Sequence, residues 1–146
     1  MNYYTFSELL VGKKESLEVQ IGGQQIYAFA ELSGDVSPVH VDDVFAKGKG
    51  FNSRIANGAL LVAYVSRFIG TLLPGANGLL QSITIEFRRP CYPGTKIRIE
   101  GEVVKRVEFL HVIRLKIIVT DSVTGEILVT AQVQSGIGDG KKEGTH

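Results

Sequence analysis

Four segments in the second half of the chain alternate apolar and polar residues with a period of two. In HVIRLKIIVT, for example, Ile113 and Leu115 alternate with Arg114 and Lys116. This period predicts β-strands that each bury one face. The links RRPCYPGT and DSVTGE between such segments are short and rich in turn-forming residues, so we expect neighbouring strands to pair antiparallel. The four segments are residues 79–87, 96–106, 111–120 and 126–135.

A long apolar helix is predicted just before these strands, within ANGALLVAYVSRFIGTLLPG. Leu61, Val65, Phe68 and Leu72 form one stripe at helical spacing, and Pro74 marks the end of the helix. Apolar residues also cover much of the remaining surface, so we expect the helix to be widely buried. One such helix followed by antiparallel strands indicates an α+β fold in which a curled sheet wraps around the long central helix.

Two shorter elements are predicted nearer the N-terminus. Residues 16–21, SLEVQI, favour a strand. Residues 23–34 favour a short helix, because Ile26, Phe29 and Ala30 follow helical spacing and Gly34 stands where a helix commonly stops.

Length and composition indicate one globular domain, which we expect to span residues 1–137, with a flexible tail at residues 138–146. The hydrophobic content of 44% and charged content of 21% are those of an ordinary globular protein. A net charge of +1 does not indicate a nucleic-acid partner. The single cysteine, Cys91, excludes an internal disulfide and a cysteine-rich metal site, and is simplest to reconcile with the reducing cytosol.

Targeting and membrane signals are not predicted. The first 15 residues do not combine a basic start with an apolar core, so they do not resemble a signal peptide. The longest apolar helix is interrupted by Ser66 and Arg67 and falls short of the roughly 20 apolar residues that span a bilayer. We therefore expect a soluble, cytoplasmic protein without a membrane partner.

The stretch LSGDVSPVHVDDVF, residues 32–45, contains a candidate reactive pair. Pro38 stiffens the segment between Asp35 and His40 and keeps Ser37 extended, so both side chains can turn toward one point. Imidazole titrates near neutral pH and a carboxylate can orient or share its proton, so this pair is suited to activating water.

A purely structural role for the same stretch is an alternative on spacing alone. Asp35 or Ser37 would then cap a helix or form a turn, and His40 would be a packing residue. Asp42 and Asp43 are expected to start the next helical turn, where acidic residues complement the dipole. A metal site is not predicted, because no third ligand stands at useful spacing from His40 and Asp42.

The chain resembles a known family in three segments. FAELSGDVSPVHVDDVFA is similar to the S-G-D-x-N-P-x-H signature of the MaoC-like dehydratases, or (R)-specific enoyl-CoA hydratases, which have the hot-dog fold. GFNSRIANGALLVAYVSRFIG resembles the central-helix segment, which in the family usually reads I-x-H-G-M-L. LLQSITIEFRRPCYPGTKIRIEGEVV resembles the family's first long strand, turn and second strand. The resemblance extends over about residues 6–135.

The resemblance implies a reaction and a site. In the family the aspartate and histidine of the motif, here Asp35 and His40, activate the water that adds across a trans-2-enoyl-CoA to give an (R)-3-hydroxyacyl-CoA. The glycine that starts the central helix, here Gly58, offers its N–H to the thioester carbonyl, which suits the positive end of a helix. Ser66, two turns further on, corresponds to a serine near the catalytic pair, although a packing role is equally compatible with a small residue.

Two positions depart from the family pattern. Ser37 replaces the family asparagine and has one donor instead of two, and Asn57 replaces the family histidine. Asn57 also stands where a helix N-cap belongs. We expect these two changes in the substrate-binding region to affect substrate and rate rather than reaction type.

Cofactors and metals are not expected, since the thioester itself acidifies the α-carbon. Cationic side chains are candidates for the CoA phosphates, and Arg88 and Arg89 are favoured because they follow a predicted strand end. The wider candidate set is Lys47, Lys49, Arg54, Arg88 and Arg89.

Two alternatives remain open at this point. Hot-dog thioesterases usually carry a carboxylate on the central helix, and NGALLVAYVSRFIG contains none. A non-catalytic or partner-dependent acyl-CoA-binding subunit is the other alternative, kept open by Ser37 and Asn57. The family and the exposed sheet edge together imply a homodimer or higher homo-oligomer.

Overall fold

The computed structural model describes residues 1–138 and contains one five-stranded antiparallel sheet. The four alternating segments and SLEVQI all form strands, as predicted, and the sheet order is β1-β3-β4-β5-β2. Residues 139–146 of the expected tail lie outside the described residues. The strands are β1 (Lys14–Ile21), β2 (Gly78–Phe87), β3 (Thr95–Val107), β4 (Val112–Asp121) and β5 (Ile127–Ile137).

The link between β2 and β3 is not a hairpin, and the prediction that these two strands pair was wrong. β2 pairs with β5 at one edge of the sheet, whereas β3 lies near the other edge beside β1. The link finds its hydrogen bonds elsewhere: Cys91 O accepts from Ala56 N at 2.8 Å, and Gly94 N donates to Ile21 O at 2.7 Å. It therefore crosses the end of the sheet instead of turning back. The predicted β4–β5 pairing through residues 121–126 is confirmed.

Four α-helices accompany the sheet within residues 1–138. The short helix predicted at residues 23–34 is α1, and Gly34 ends it in the left-handed conformation, with φ 75° and its N–H bonded to Ala30 O. Asp42 caps α3 through its carboxylate, which confirms the expected helical start there. The four are α1 (Gly23–Ser33), α2 (Pro38–Val41), α3 (Asp43–Gly48) and α4 (Gly58–Thr71).

The central helix α4 supplies the middle of the core. Leu61, Val65 and Phe68 of the predicted stripe are buried, and Leu72 is half-buried. Their partners are the inward-facing residues of the sheet, such as Ile99 of β3. The opposite side of α4 is exposed, so the helix is less widely buried in one chain than its composition predicts. The α+β arrangement of an antiparallel sheet packed on one long central helix is confirmed.

Gly101 of β3 lets α4 approach the sheet closely. A Cβ built at Gly101 would lie 2.5 Å from Cε1 of the fully buried Phe68 ring. The absence of a side chain at this inward position therefore makes room for the aromatic ring. This contact allows α4 to pack closely on β3.

Two chemical features of the described residues follow from the fold. No helix within residues 1–138 is long and apolar enough to cross a bilayer. Cys91 is a buried free thiol, and desolvation raises its pKa to about 11, so it is a poor nucleophile at neutral pH.

Candidate functional site

The loop between α1 and α2 is held by a chain of short-range hydrogen bonds. The Ser33 hydroxyl donates to Phe29 O and accepts from Asp35 N at 3.1 Å. Ser37 N donates to Asp35 Oδ1 at 3.3 Å, and His40 N donates to Ser37 O at 2.9 Å. Pro38 starts α2, where its missing N–H costs nothing. The loop thus places Asp35 and His40 on the same side.

The tautomer of His40 is defined by its backbone partner. Its Nδ1 lies 2.8 Å from Ile55 O. A carbonyl oxygen can only accept, so Nδ1 carries the proton and the neutral ring presents an unprotonated Nε2. The side chain is only 14% exposed, so the ring is held in place while Nε2 faces Asp35.

Asp35 Oδ2 and His40 Nε2 are 3.9 Å apart. This separation is too long for a direct hydrogen bond. When the imidazole is neutral and the carboxylate is ionised, both atoms are acceptors. One water molecule can donate a hydrogen bond to each of them at this distance. The two acceptors therefore face each other at a distance that one water molecule can bridge.

The Asp35 carboxylate accepts two hydrogen bonds, and these favour its ionised form. Asn57 Nδ2 donates to its Oδ2 at 2.8 Å, and Ser37 N donates to Oδ1. These two bonds, the Asn57 bond first, lower the pKa of Asp35, and the nearby His40 lowers it further by a smaller amount. The carboxylate is 45% exposed, so solvent can reach it.

Asn57 does not cap α4, although it stands at the N-cap position. Its side chain makes no capping hydrogen bond and reaches Asp35 instead. The expected capping role is therefore wrong: a cap accepts a helix N–H through its side-chain oxygen, whereas this side chain is positioned to donate from Nδ2 to the Asp35 carboxylate. The residue is 1% exposed, and within residues 1–138 its Oδ1 has no hydrogen-bond partner.

Gly58 begins α4 directly after Asn57. Its N–H is one of the first helical donors and makes no hydrogen bond to the rest of residues 1–138. The Phe87 ring packs over it, with Cε1 and Cζ 3.0 Å from where a Cβ would stand. The glycine therefore allows an aromatic wall to approach a helix N-terminus that still offers a free donor.

The other two predicted substrate-binding residues are less closely connected to the pair. Ser37 contributes its backbone N–H and C=O, and its hydroxyl makes no hydrogen bond to the described residues. Ser66 lies on the exposed side of α4, and no hydrogen bond joins its hydroxyl to Asp35 or His40. Its assignment stays a prediction.

Arg88 and Arg89 directly follow Phe87, the last residue of β2. Arg88 pairs with Glu86 at 2.7 Å and Arg89 with Glu126 at 3.8 Å. Both line an open groove with Pro90, Ile127 and Thr130. Of the remaining cations, Lys49 lies over the Phe45 ring and the Arg54 guanidinium lies against Gly23.

Within residues 1–138, no three His, Cys, Asp or Glu side chains are arranged to hold a metal ion. The sequence reasoning missed three contacts at the site: the Ile55 carbonyl that orients His40, the Phe87 ring over Gly58, and the Asn57 amide on Asp35. A backbone carbonyl in a loop has no residue-type signature. For the contact of Phe87 with Gly58, the signal in the sequence was an aromatic residue at the end of a predicted strand.

An antiparallel sheet packed on one long central helix is the arrangement of the hot-dog fold. The family model described as MaoC like domain matches residues 11–126. The chain belongs to the MaoC-like dehydratase family.

Named relatives place the chain among hydratases and dehydratases. It is 32% identical to the 3-hydroxybutyryl-CoA dehydratase of Methylorubrum extorquens, over 87% of this chain and 80% of the relative. It is 35% identical to the (R)-specific enoyl-CoA hydratase of Aeromonas caviae, over 65% of this chain and 71% of the relative. The unliganded R-hydratase of Pseudomonas aeruginosa superposes with a TM-score of 0.86 at 30% identity, covering 93% of this chain and 86% of that chain. The hot-dog fold is thereby confirmed.

Proposed function

We propose that this chain catalyses the reversible hydration of a trans-2-enoyl-CoA to an (R)-3-hydroxyacyl-CoA. The observation that carries the proposal is the 3.9 Å gap between Asp35 Oδ2 and His40 Nε2, beside Asn57 at the start of α4. Relatives named as (R)-specific enoyl-CoA hydratases support the reaction class and the product configuration.

In the proposed reaction Asp35 and His40 act as bases, and the Gly58 N–H at the start of α4 acts as a hydrogen-bond donor to the thioester oxygen. The water held between Asp35 and His40 loses a proton to the pair as its oxygen bonds to C3 of the enoyl group. Charge then develops on the thioester oxygen, where the Gly58 N–H stabilises it. The pair returns a proton to C2, so that one water molecule is added across the double bond. The thioester supplies the required electron withdrawal, and the residues present complete the cycle.

Purified protein is expected to remove the enoyl absorbance of crotonyl-CoA and to release no free CoA thiol. Chiral analysis of the 3-hydroxybutyryl-CoA is expected to show the R isomer. Thiol release without hydration would favour the thioesterase alternative, which α4 disfavours because it carries no Asp or Glu. A protein inactive on a series of enoyl-CoA chain lengths would overturn the proposed function and favour the partner-dependent subunit.

The contribution of the Gly58 N–H is tested by comparing Gly58→Pro with Gly58→Ala. Both substitutions add a Cβ beside Phe87, but only proline removes the donor. Proline is tolerated at the first helical position, and Asn57, with φ −59° and ψ 135°, already has the conformation that precedes proline. We expect kcat/KM of Gly58→Pro to be about 10²- to 10³-fold below that of Gly58→Ala. Equal activities of the two variants would remove the N–H from the mechanism.

The acyl-CoA phosphates are proposed to contact Arg88 and Arg89. Arg88 and Arg89 directly follow Phe87, which packs over Gly58, and both line a groove with Pro90 and Ile127. Phosphate oxygens would replace the exposed carboxylates of Glu86 and Glu126, whose surface ion pairs contribute little. The phosphate contacts would therefore act mainly on KM.

A homodimer is proposed from the sheet edge. β2 is an edge strand, and it exposes the apolar side chains of Leu79, Leu80 and Phe87. An edge with unpaired backbone groups and apolar side chains favours pairing with another chain. Sedimentation equilibrium is expected to give twice the mass of one chain.

A further inference from the structure

We infer that Asn57 is a positioning residue for the proposed hydration, because its side-chain amide sets the orientation of the Asp35 carboxylate toward His40. The inference rests on the proposed function for its catalytic meaning and on the contacts of Asn57 for its geometry. The amide is buried, and its Nδ2 donates to Asp35 Oδ2 at 2.8 Å.

The Asp35 carboxylate is fixed by two donors, one on each oxygen. Ser37 N holds Oδ1 at 3.3 Å and Asn57 Nδ2 holds Oδ2 at 2.8 Å. Two bonds to two different oxygens define the plane of the group. The side of Oδ2 that remains free then faces His40 Nε2 at 3.9 Å. Without the amide, the side chain keeps one weak donor and can rotate into the solvent that already reaches it.

The energetics of Asn57 do not favour a purely structural role. Its Oδ1 is buried and has no hydrogen-bond partner within residues 1–138, and its side chain does not cap α4. A buried unpaired acceptor destabilises a fold, and an apolar side chain of similar size would avoid that cost. The bond that the residue does make is the one to Asp35. This bond defines the orientation of the Asn57 amide, because exchanging Nδ2 and Oδ1 would place an oxygen acceptor against the Asp35 carboxylate.

The pKa of Asp35 is influenced by three neighbouring groups. The titratable group that faces it among the described residues is His40 of α2, whereas Asn57 at the start of α4 and the Ser37 N–H are uncharged donors. The Asn57 amide does not titrate, so its lowering of the Asp35 pKa does not depend on pH. Removing the amide is expected to raise that pKa.

The test compares Asn57→Leu and Asn57→Asp with the wild-type chain. The titration of Asp35 is followed through its carboxyl carbon by NMR, and kcat and KM are measured for crotonyl-CoA hydration. Asn57→Leu is expected to remain folded, to move the Asp35 midpoint to higher pH, and to lower kcat by up to about 10²-fold through misorientation. Asn57→Asp has nearly the same shape but places a like charge beside Asp35, so the midpoint is expected to move further upward.

Asn77→Leu is the matched control. The Asn77 amide donates to Tyr3 O and Tyr4 O at 3.2 and 3.0 Å, away from the site, so its loss is expected to affect stability and leave the Asp35 titration unchanged. An unshifted Asp35 midpoint in Asn57→Leu would overturn the inference. The titration is measured without substrate, so a wild-type chain that hydrates no enoyl-CoA would sink the proposed function while the positioning of Asp35 is still decided.

Discussion

Replacing Asp35 by Asn, or His40 by Ala, is expected to lower kcat/KM for crotonyl-CoA hydration by about 10³-fold or more. Each change removes one of the two acceptors that face each other across 3.9 Å. General base catalysis typically contributes 10²- to 10⁴-fold, and a misplaced water adds a further loss. Because the two groups share one water, the double variant is expected to be little worse than either single variant. Steady-state kinetics on the four proteins gives the comparison.

Two substitutions elsewhere in the chain serve as matched controls for that experiment. Asp121 also accepts backbone N–H groups in a turn, from Val123 and Thr124, so Asp121→Asn repeats the chemical change away from the site. The His111 ring stacks on Phe6, and its backbone has a left-handed φ of 48° that asparagine also tolerates. His111→Asn therefore serves as the control for His40→Ala. Controls as inactive as the site variants, or additive losses in the double variant, would contradict a shared water.

The alternation of side chains predicted the strands because each strand buries one face. The period of two in β4 and β5 survives in the burial pattern, with Leu115 and Val133 inside and Arg114 outside. The predicted C-terminal stop at Gly34 is equally local, since a left-handed φ favours glycine. Both features depend on a few neighbouring residues, which is why the sequence alone was sufficient.

Strand order and fine site geometry depended on distant partners. The β2–β3 link looks like a turn because it contains Pro90, Pro93 and Gly94, but Cys91 O and Gly94 N bond to Ala56 and Ile21, which no local pattern indicates. The same limit explains why the contacts of His40 with Ile55 O and of Asn57 with Asp35 were not predicted. An asparagine just before a helix is a typical N-cap residue. Whether it caps α4 or bonds to Asp35 depends on where the end of α1 lies relative to the start of α4.

Phe68→Ala is expected to lower the free energy of unfolding by about 3–5 kcal/mol, the range for truncating a fully buried aromatic side chain. Gly101→Ala is expected to cost about 1–3 kcal/mol, because the added Cβ would lie 2.5 and 2.7 Å from Cε1 and Cζ of Phe68 and the ring must move. Urea denaturation of the single and double variants measures both values and their coupling.

The double variant Phe68→Ala with Gly101→Ala separates close packing from other roles of the glycine. Once the ring is absent, the Cβ at position 101 has space, so the second substitution is expected to cost nothing or to stabilise slightly by restricting the unfolded chain. Phe68→Leu replaces Phe68→Ala if the latter is too unstable to measure, since leucine also lacks Cε1 and Cζ. Gly70→Ala on the same helix, where a Cβ meets nothing within 4 Å, is the control and is expected to stabilise by up to about 1 kcal/mol. A full penalty for Gly101→Ala in the background without the ring would show that the glycine is required for the β3 backbone and not for the approach of α4.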